Sequence, residues 1–204
     1  VILYHCPDGR SFRPLWALEE LGIPYELRLL PFPPRVMAPD YLAENPLGTI
    51  PLLIDGETRL RESVAICHYL AVRHGPALAV DASERDFAAY LDALVFGEAS
   101  LTWPQGVCLL YSLFEREDRR QPQVAEDMRG RVTALLDDTA RRLDGRAFAA
   151  AGRFTMADIS IGYALHLLQY IGMAERMPAV LQDYYRRLAA RPAFERAIAK
   201  QKES

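Results

Sequence analysis

Short alternating apolar runs mark the first third of the chain, and apolar positions at helical spacing fill the rest. Val1 to Tyr4 is β-prone. From Ser11 onward Phe12, Leu15, Trp16, Leu18 and Leu21 recur at helical spacing while Glu19 and Glu20 face away. Gly22 is placed to stop that helix. Tyr25 to Leu29 alternates and predicts a second strand. Pro31, Pro33 and Pro34 break the pattern, so residues 30–39 are expected as loop, with a short helix over 40–44. A third apolar run opens on Pro51 and closes at Asp55-Gly56, which reads as a β-hairpin. Ser63 to His74 is helical, with Ala65, Ile66, Tyr69 and Leu70 inward and Gly75-Pro76 at its end. The predicted order is β-α-β-α-β-β-α.

That order is the one of a thioredoxin-like α/β domain, assigned to residues 1–75. Residues 76–82 form the expected linker, and strand signals vanish beyond it. The remainder, 83–204, is predicted as an all-α helical bundle. Its first helix is expected to begin at Ser83 and to be kinked at Thr102-Trp103-Pro104. Val124 to Leu143 marks a long amphipathic helix closed by Asp144-Gly145. Phe154-Thr155-Met156-Ala157-Asp158-Ile159 carries a capping box flanked by the residues of a hydrophobic staple. The helix it starts, through Ile161, Ala164, Leu165 and Leu168, is expected to be the buried axis of this half. Residues 178–190 and 192–200 complete it.

Composition narrows the function without choosing it. The net charge of −3 gives no reason to expect nucleic acid or an anionic membrane as partner. No apolar stretch is long enough to cross a bilayer, and no signal-peptide pattern opens the chain. Three cysteines, Cys6, Cys67 and Cys108, lack framework spacing and fit a reducing, cytoplasmic setting. His5, His68, His74 and His166 are scattered among them with no metal-binding spacing.

The passage from Asn45 to Ser63 carries the chemistry. Pro51 opens a strand although it gives no ladder hydrogen bond. A cis Ile50-Pro51 bond would leave the Ile50 backbone to pair with an extended peptide. Ser63 begins a helix, where N–H groups and a hydroxyl favour a carboxylate, and Glu62 beside it suits an ammonium group. A plain hairpin with Ser63 as a simple helix cap fits the same spacing. Asn-Pro-x-Gly-x-Ile-Pro-x-Leu from Asn45, followed by Glu62-Ser63-x-Ala-Ile-x-x-Tyr-Leu, resembles the glutathione-binding half of the cytosolic glutathione transferases. Arg13 to Glu26 is similar to bacterial members, and Thr155-x-x-Asp158 matches the capping box of the family's helical domain.

The resemblance implies glutathione as co-substrate, paired to the backbone at Ile50 before Pro51 and held at its γ-glutamyl end by Glu62 and Ser63. It implies attack by the glutathione thiolate on a small apolar electrophile, a homodimer, and an acceptor pocket to which Phe96, Trp103, Val107 and Tyr111 are candidates. Thiol–disulfide exchange, dehalogenation or isomerisation on the same co-substrate, and a non-catalytic scaffold, remain as alternatives. The family's catalytic serine falls at Asp8 or Gly9, neither of which suits a thiolate. Three neighbours are candidates instead. Ser11 lies at a helix start, Cys6 precedes proline as in the family's Cys-Pro members, and Arg10 carries a positive charge.

Overall fold

In the computed structural model, which describes residues 1–202, a four-stranded sheet is built from β1 (Ile2–His5), β2 (Glu26–Leu29), β3 (Leu52–Asp55) and β4 (Thr58–Leu60). The spatial order is β2-β1-β3-β4. β1 runs parallel to β2, pairing Leu3 with Leu27, and antiparallel to β3, pairing Leu3 with Leu53. Alternation sorts the side chains into two layers. Tyr4 and Leu52 pack with Tyr41 on one face, with Ile50 and Ile54 against them. Leu3, His5 and Leu53, all fully buried, occupy the other.

α1 (Phe12–Leu21) and α3 (Ser63–His74) pack together, and Gly22 ends α1 in the left-handed conformation at φ 62. Between β2 and β3 lie a single turn, α2 (Pro34–Met37), inside the stretch expected as loop, and a 3₁₀ turn over Pro39–Ala43. Proline at the start of each turn presets φ and lacks an N–H that would otherwise go unpaired.

The chain divides into two compact units, residues 1–79 with the C-terminal stretch from Ala190, and residues 80–189. This differs from the expectation that 83–204 is one helical body. α9 (Pro192–Lys200) belongs with the sheet because Phe194 packs edge-on against Phe12 and Trp16, at 5.4 and 4.9 Å between ring centroids. Arg191 pairs with Glu20 at 2.6 Å and Arg196 with Glu19 at 2.7 Å, which closes the same contact with charge. An amphipathic helix read from sequence shows its apolar face but not the surface that receives it.

The helical unit contains α4 (Phe87–Phe96), α5 (Trp103–Leu109), α6 (Pro122–Leu143), α7 (Met156–Leu167) and α8 (Ala179–Ala189). α4 starts later than Ser83, since Asp81 takes the Ser83 amide and hydroxyl into a turn at 2.9 and 2.6 Å. The interruption expected at Thr102-Trp103-Pro104 is a π-helical segment over Gly97–Thr102, and a second follows at Leu110–Phe114. Every residue of α7 is buried. Its capping box forms as the motif predicts, the Thr155 amide donating to Asp158 at 2.8 Å and Thr155 Oγ1 accepting from Ala157 at 3.3 Å. No described helix is long and apolar enough to cross a membrane.

Candidate active site

The loop leading into Pro51 is held by side chains rather than by a ladder. Asn45 is fully buried, and its amide donates to the Thr49 carbonyl at 2.8 Å and to Thr49 Oγ1 at 3.3 Å. The Tyr41 hydroxyl donates to the same carbonyl at 2.7 Å. Gly48 sits at φ 60 with its Cα against Arg35, where a Cβ would collide with that residue's backbone. Asn-Pro-x-Gly is thus a scaffold for the residues that follow it. The Ile50–Pro51 peptide bond is cis, and Ile50 is half-buried.

The first loop lies against Ile50. A Cβ added to Gly9 would fall 2.7 Å from Ile50 Cδ1 and 3.1 Å from the Cys6 carbonyl, so a serine at this position would have to displace Ile50. Ser11 is fully buried, and its hydroxyl accepts from the Cys6 amide at 3.2 Å and donates to the Cys6 carbonyl at 3.3 Å. It makes no cap bond to α1. Cys6 is also fully buried, with its thiol 3.7 Å from the Pro31 carbonyl, and burial pushes that thiol up to about 12. Thiolate chemistry at Cys6 is disfavoured at neutral pH. Arg10 is half-buried.

At the start of α3, Glu62 is exposed in extended backbone at φ −81 and ψ 119, with no side-chain cap bond. Ser63 is buried, and its oxygen accepts a hydrogen bond from Arg13 Nη1 at 3.3 Å. Arg13 itself is fully buried. Because the guanidinium donates, the Ser63 hydroxyl keeps its own proton for another acceptor. The first-turn N–H groups of α3 lie beside it without helical partners, and the guanidinium adds positive charge behind them. An anion is the natural complement of that corner.

Two groupings therefore form. One brings the first loop to Ile50 and Pro51, and the other sets Arg13 behind Ser63 with Glu62 alongside. Arg13 and Asn45 entered the sequence reading only as the first residues of matching segments, and Tyr41 was not singled out. A charged residue at an inward position of α1 was the available signal, since such a residue is rarely buried without a purpose.

The aromatic candidates in the helical unit separate. Phe96 lies under the Arg142 guanidinium at 4.7 Å and lines a cavity of about 110 Å³ with Ala89, Asp92 and Ile161. Trp103 is 52% exposed, which makes its ring available, while Val107 and Tyr111 are half-buried on the same side of that helical stretch. Among the described residues no group of three His, Cys, Asp or Glu side chains is placed to hold a metal ion.

Comparison with known proteins decides the family. The model of the glutathione S-transferase N-terminal domain matches residues 10–73, which include every candidate above in the first unit except Cys6. Glutathione S-transferase 4 of Zea mays is 30% identical over 191 residues, covering 89% of this chain and 83% of that protein. The chain belongs to the glutathione S-transferase family. Glutathione S-transferase 3 of Schizosaccharomyces pombe is 29% identical over 213 residues, covering 98% of this chain and 87% of its own. The crystal structure of a sphingomonad glutathione S-transferase complexed with glutathione superposes with a TM-score of 0.87 at 25% identity, covering 100% of both chains. The family's thioredoxin-like and helical parts are both present.

Proposed function

We propose that this protein is a glutathione transferase that joins the glutathione sulfur to a small apolar electrophile. The observation that carries the reading is the corner at the start of α3, where Ser63 is backed by the buried Arg13 and flanked by the exposed Glu62. The γ-glutamyl carboxylate of glutathione is bound there by the Ser63 hydroxyl and the helix N-terminus, and its ammonium group by Glu62. The cysteinyl backbone pairs with Ile50 ahead of Pro51. That a related structure of matching fold holds glutathione supports this placement.

The sulfur then reaches the first loop. Both bonds of the Ser11 hydroxyl go to Cys6, and the Cys6 thiol stays protonated, so Arg10 and the N-terminus of α1 are the groups left to favour a thiolate. The thiolate attacks the electrophilic carbon, a carbon–sulfur bond forms, and the leaving group departs with its electron pair. Exchange through a mixed disulfide at Cys6 has no comparable support, because that thiol is buried. Within the helical unit, exposed Trp103 and half-buried Val107 and Tyr111 are the apolar side chains assigned to the electrophile, while Phe96 is taken up by Arg142 and its own cavity.

The homodimer common in this family draws support from exposed Val95, Leu110, Leu113 and Phe114, which offer apolar surface to a second copy. The buried free cysteines suit a reducing cytoplasm, where detoxification of electrophiles takes place. Calorimetric titration with glutathione, followed by conjugation of a chlorodinitroaryl electrophile, tests the reading. Saturable binding and product formation are expected, and absence of binding heat across temperatures overturns it.

A further inference from the structure

The residue just past α9 reaches back across the whole chain to the first loop. Gln201 is 4% exposed, and its Oε1 accepts from the Asp8 amide at 3.1 Å and lies 3.3 Å from His5 Nε2. Its Nε2 donates to Asp8 Oδ1 at 2.7 Å. One amide side chain thus uses both ends on the same turn. His5 is fully buried and its Nε2 faces Gln201 Oε1, an acceptor, so the tautomer protonated at Nε2 completes this contact. Asp8 stands at φ 57, a left-handed conformation that a non-glycine residue holds only when its surroundings favour it. The residue after it, Gly9, is the one packed against Ile50.

We propose that Gln201 is a positioning residue for glutathione, holding the Asp8-Gly9 turn against Ile50 so that the first loop meets the sulfur in a fixed geometry. The proposal rests on the glutathione reading above. Phe194 and the Arg191 and Arg196 ion pairs already dock α9 on α1. Gln201 adds a contact directed at the loop rather than at the helix. The pairing has a chemical asymmetry that makes it testable. A glutamate at 201 keeps both acceptances but sets a carboxylate against the Asp8 carboxylate. An asparagine at 8 reverses that fault, because its amide donates to the new carboxylate and tolerates left-handed backbone.

The test compares Gln201→Glu with Gln201→Glu/Asp8→Asn in the full chain, reading glutathione affinity, the pH titration of the bound thiol by its ultraviolet absorbance, and unfolding by denaturant. Gln201→Glu is expected to weaken glutathione by about tenfold, the factor for one charge-assisted hydrogen bond lost, and to move the thiol titration upward. The double variant is expected to recover both. Affinity and titration equal to the parent in Gln201→Glu overturn the proposal, as does failure of the double variant to recover while it unfolds like the parent. Should the parent itself not bind glutathione, that reading falls separately. Amide exchange over Asp8 to Ser11 then judges the clamp, faster exchange in Gln201→Glu with recovery in the double variant supporting it and equal exchange overturning it.

Discussion

Two helices in this protein begin at a hydroxyl residue with an acid close by, and they use the pair in opposite ways. At α7 the acid turns inward. Asp158 is fully buried and accepts from the Thr155 amide at 2.8 Å, the Ala149 amide at 2.8 Å and the Tyr184 hydroxyl at 2.7 Å. Burial raises its pKa from the usual carboxylate range, while those donors pull the other way. Around Ser63 the acid, Glu62, points to solvent, and the hydroxyl is approached from within by Arg13. The first site is closed on itself and holds a fold. The second leaves Glu62 exposed and the hydroxyl proton of buried Ser63 unspent, which suits a ligand with charged ends. Sequence spacing alone does not separate these cases, since helix starts favour the same few residue types.

The sharpest way to break the comparison is Asp158→Ala. It strands the amide and hydroxyl of Thr155, the Ala149 amide and the Tyr184 hydroxyl, and is expected to cost about 3 kcal/mol or more in denaturant unfolding. Glutathione affinity of the folded fraction should stay as it was. A variant that kept its stability and lost glutathione would reverse the roles assigned to the two helix starts.

Acid should strain the closed parts next. Burial lowers His5 to about 4 from an ordinary 6.5, so between those values the unfolded chain binds more protons than the folded one. Stability should therefore fall as pH drops from 6.5 toward 4, by up to about 3 kcal/mol from this group, at about 1.4 kcal/mol per tenfold change in proton affinity. The lowered pKa of His68 acts in the same direction. His5→Phe is expected to flatten part of that slope, measured as unfolding free energy against pH.

At the open site the effects should appear in binding rather than in folding. Ser63→Ala removes the hydroxyl offered to the ligand carboxylate and is expected to raise the glutathione Kd about tenfold, with stability changed by about 1 kcal/mol or less. Glu62→Gln is expected to weaken glutathione by a smaller factor, about three- to fivefold, because an exposed ion pair contributes at most about 1 kcal/mol. Its melting temperature should match the parent's, and a large thermal shift would show that Glu62 serves the fold. The smallest effect is expected from Cys6→Ala, which should leave conjugation kinetics unchanged. Loss of turnover in that variant would restore the buried thiol as a reacting group.

Much of the first unit was legible in advance because its signals are local. Gly22 and the Asp55-Gly56 turn each fix a boundary there through their own backbone preferences, as Thr155 with Asp158 does in the helical unit. The proposed glutathione corner was readable because Ile50, Pro51, Glu62 and Ser63 lie within one short stretch. The first loop was harder. Ser11 and Cys6 looked like two separate candidates for the sulfur, and they turn out to be bonded to each other through the Cys6 backbone. Nothing in residue type shows in advance that a hydroxyl has already been used.

The sequence by itself determined the order of the strands and main helices, several helix and turn boundaries, and the motif proposed to mark the ligand's charged end, because each depends on neighbours a few positions apart. The tertiary structure alone decided that Arg13 stands behind Ser63, that α9 returns to the sheet unit, and that Gln201 grips Asp8 from 193 residues away. Such contacts depend on which surfaces meet once apolar faces are buried, and no local periodicity encodes that choice.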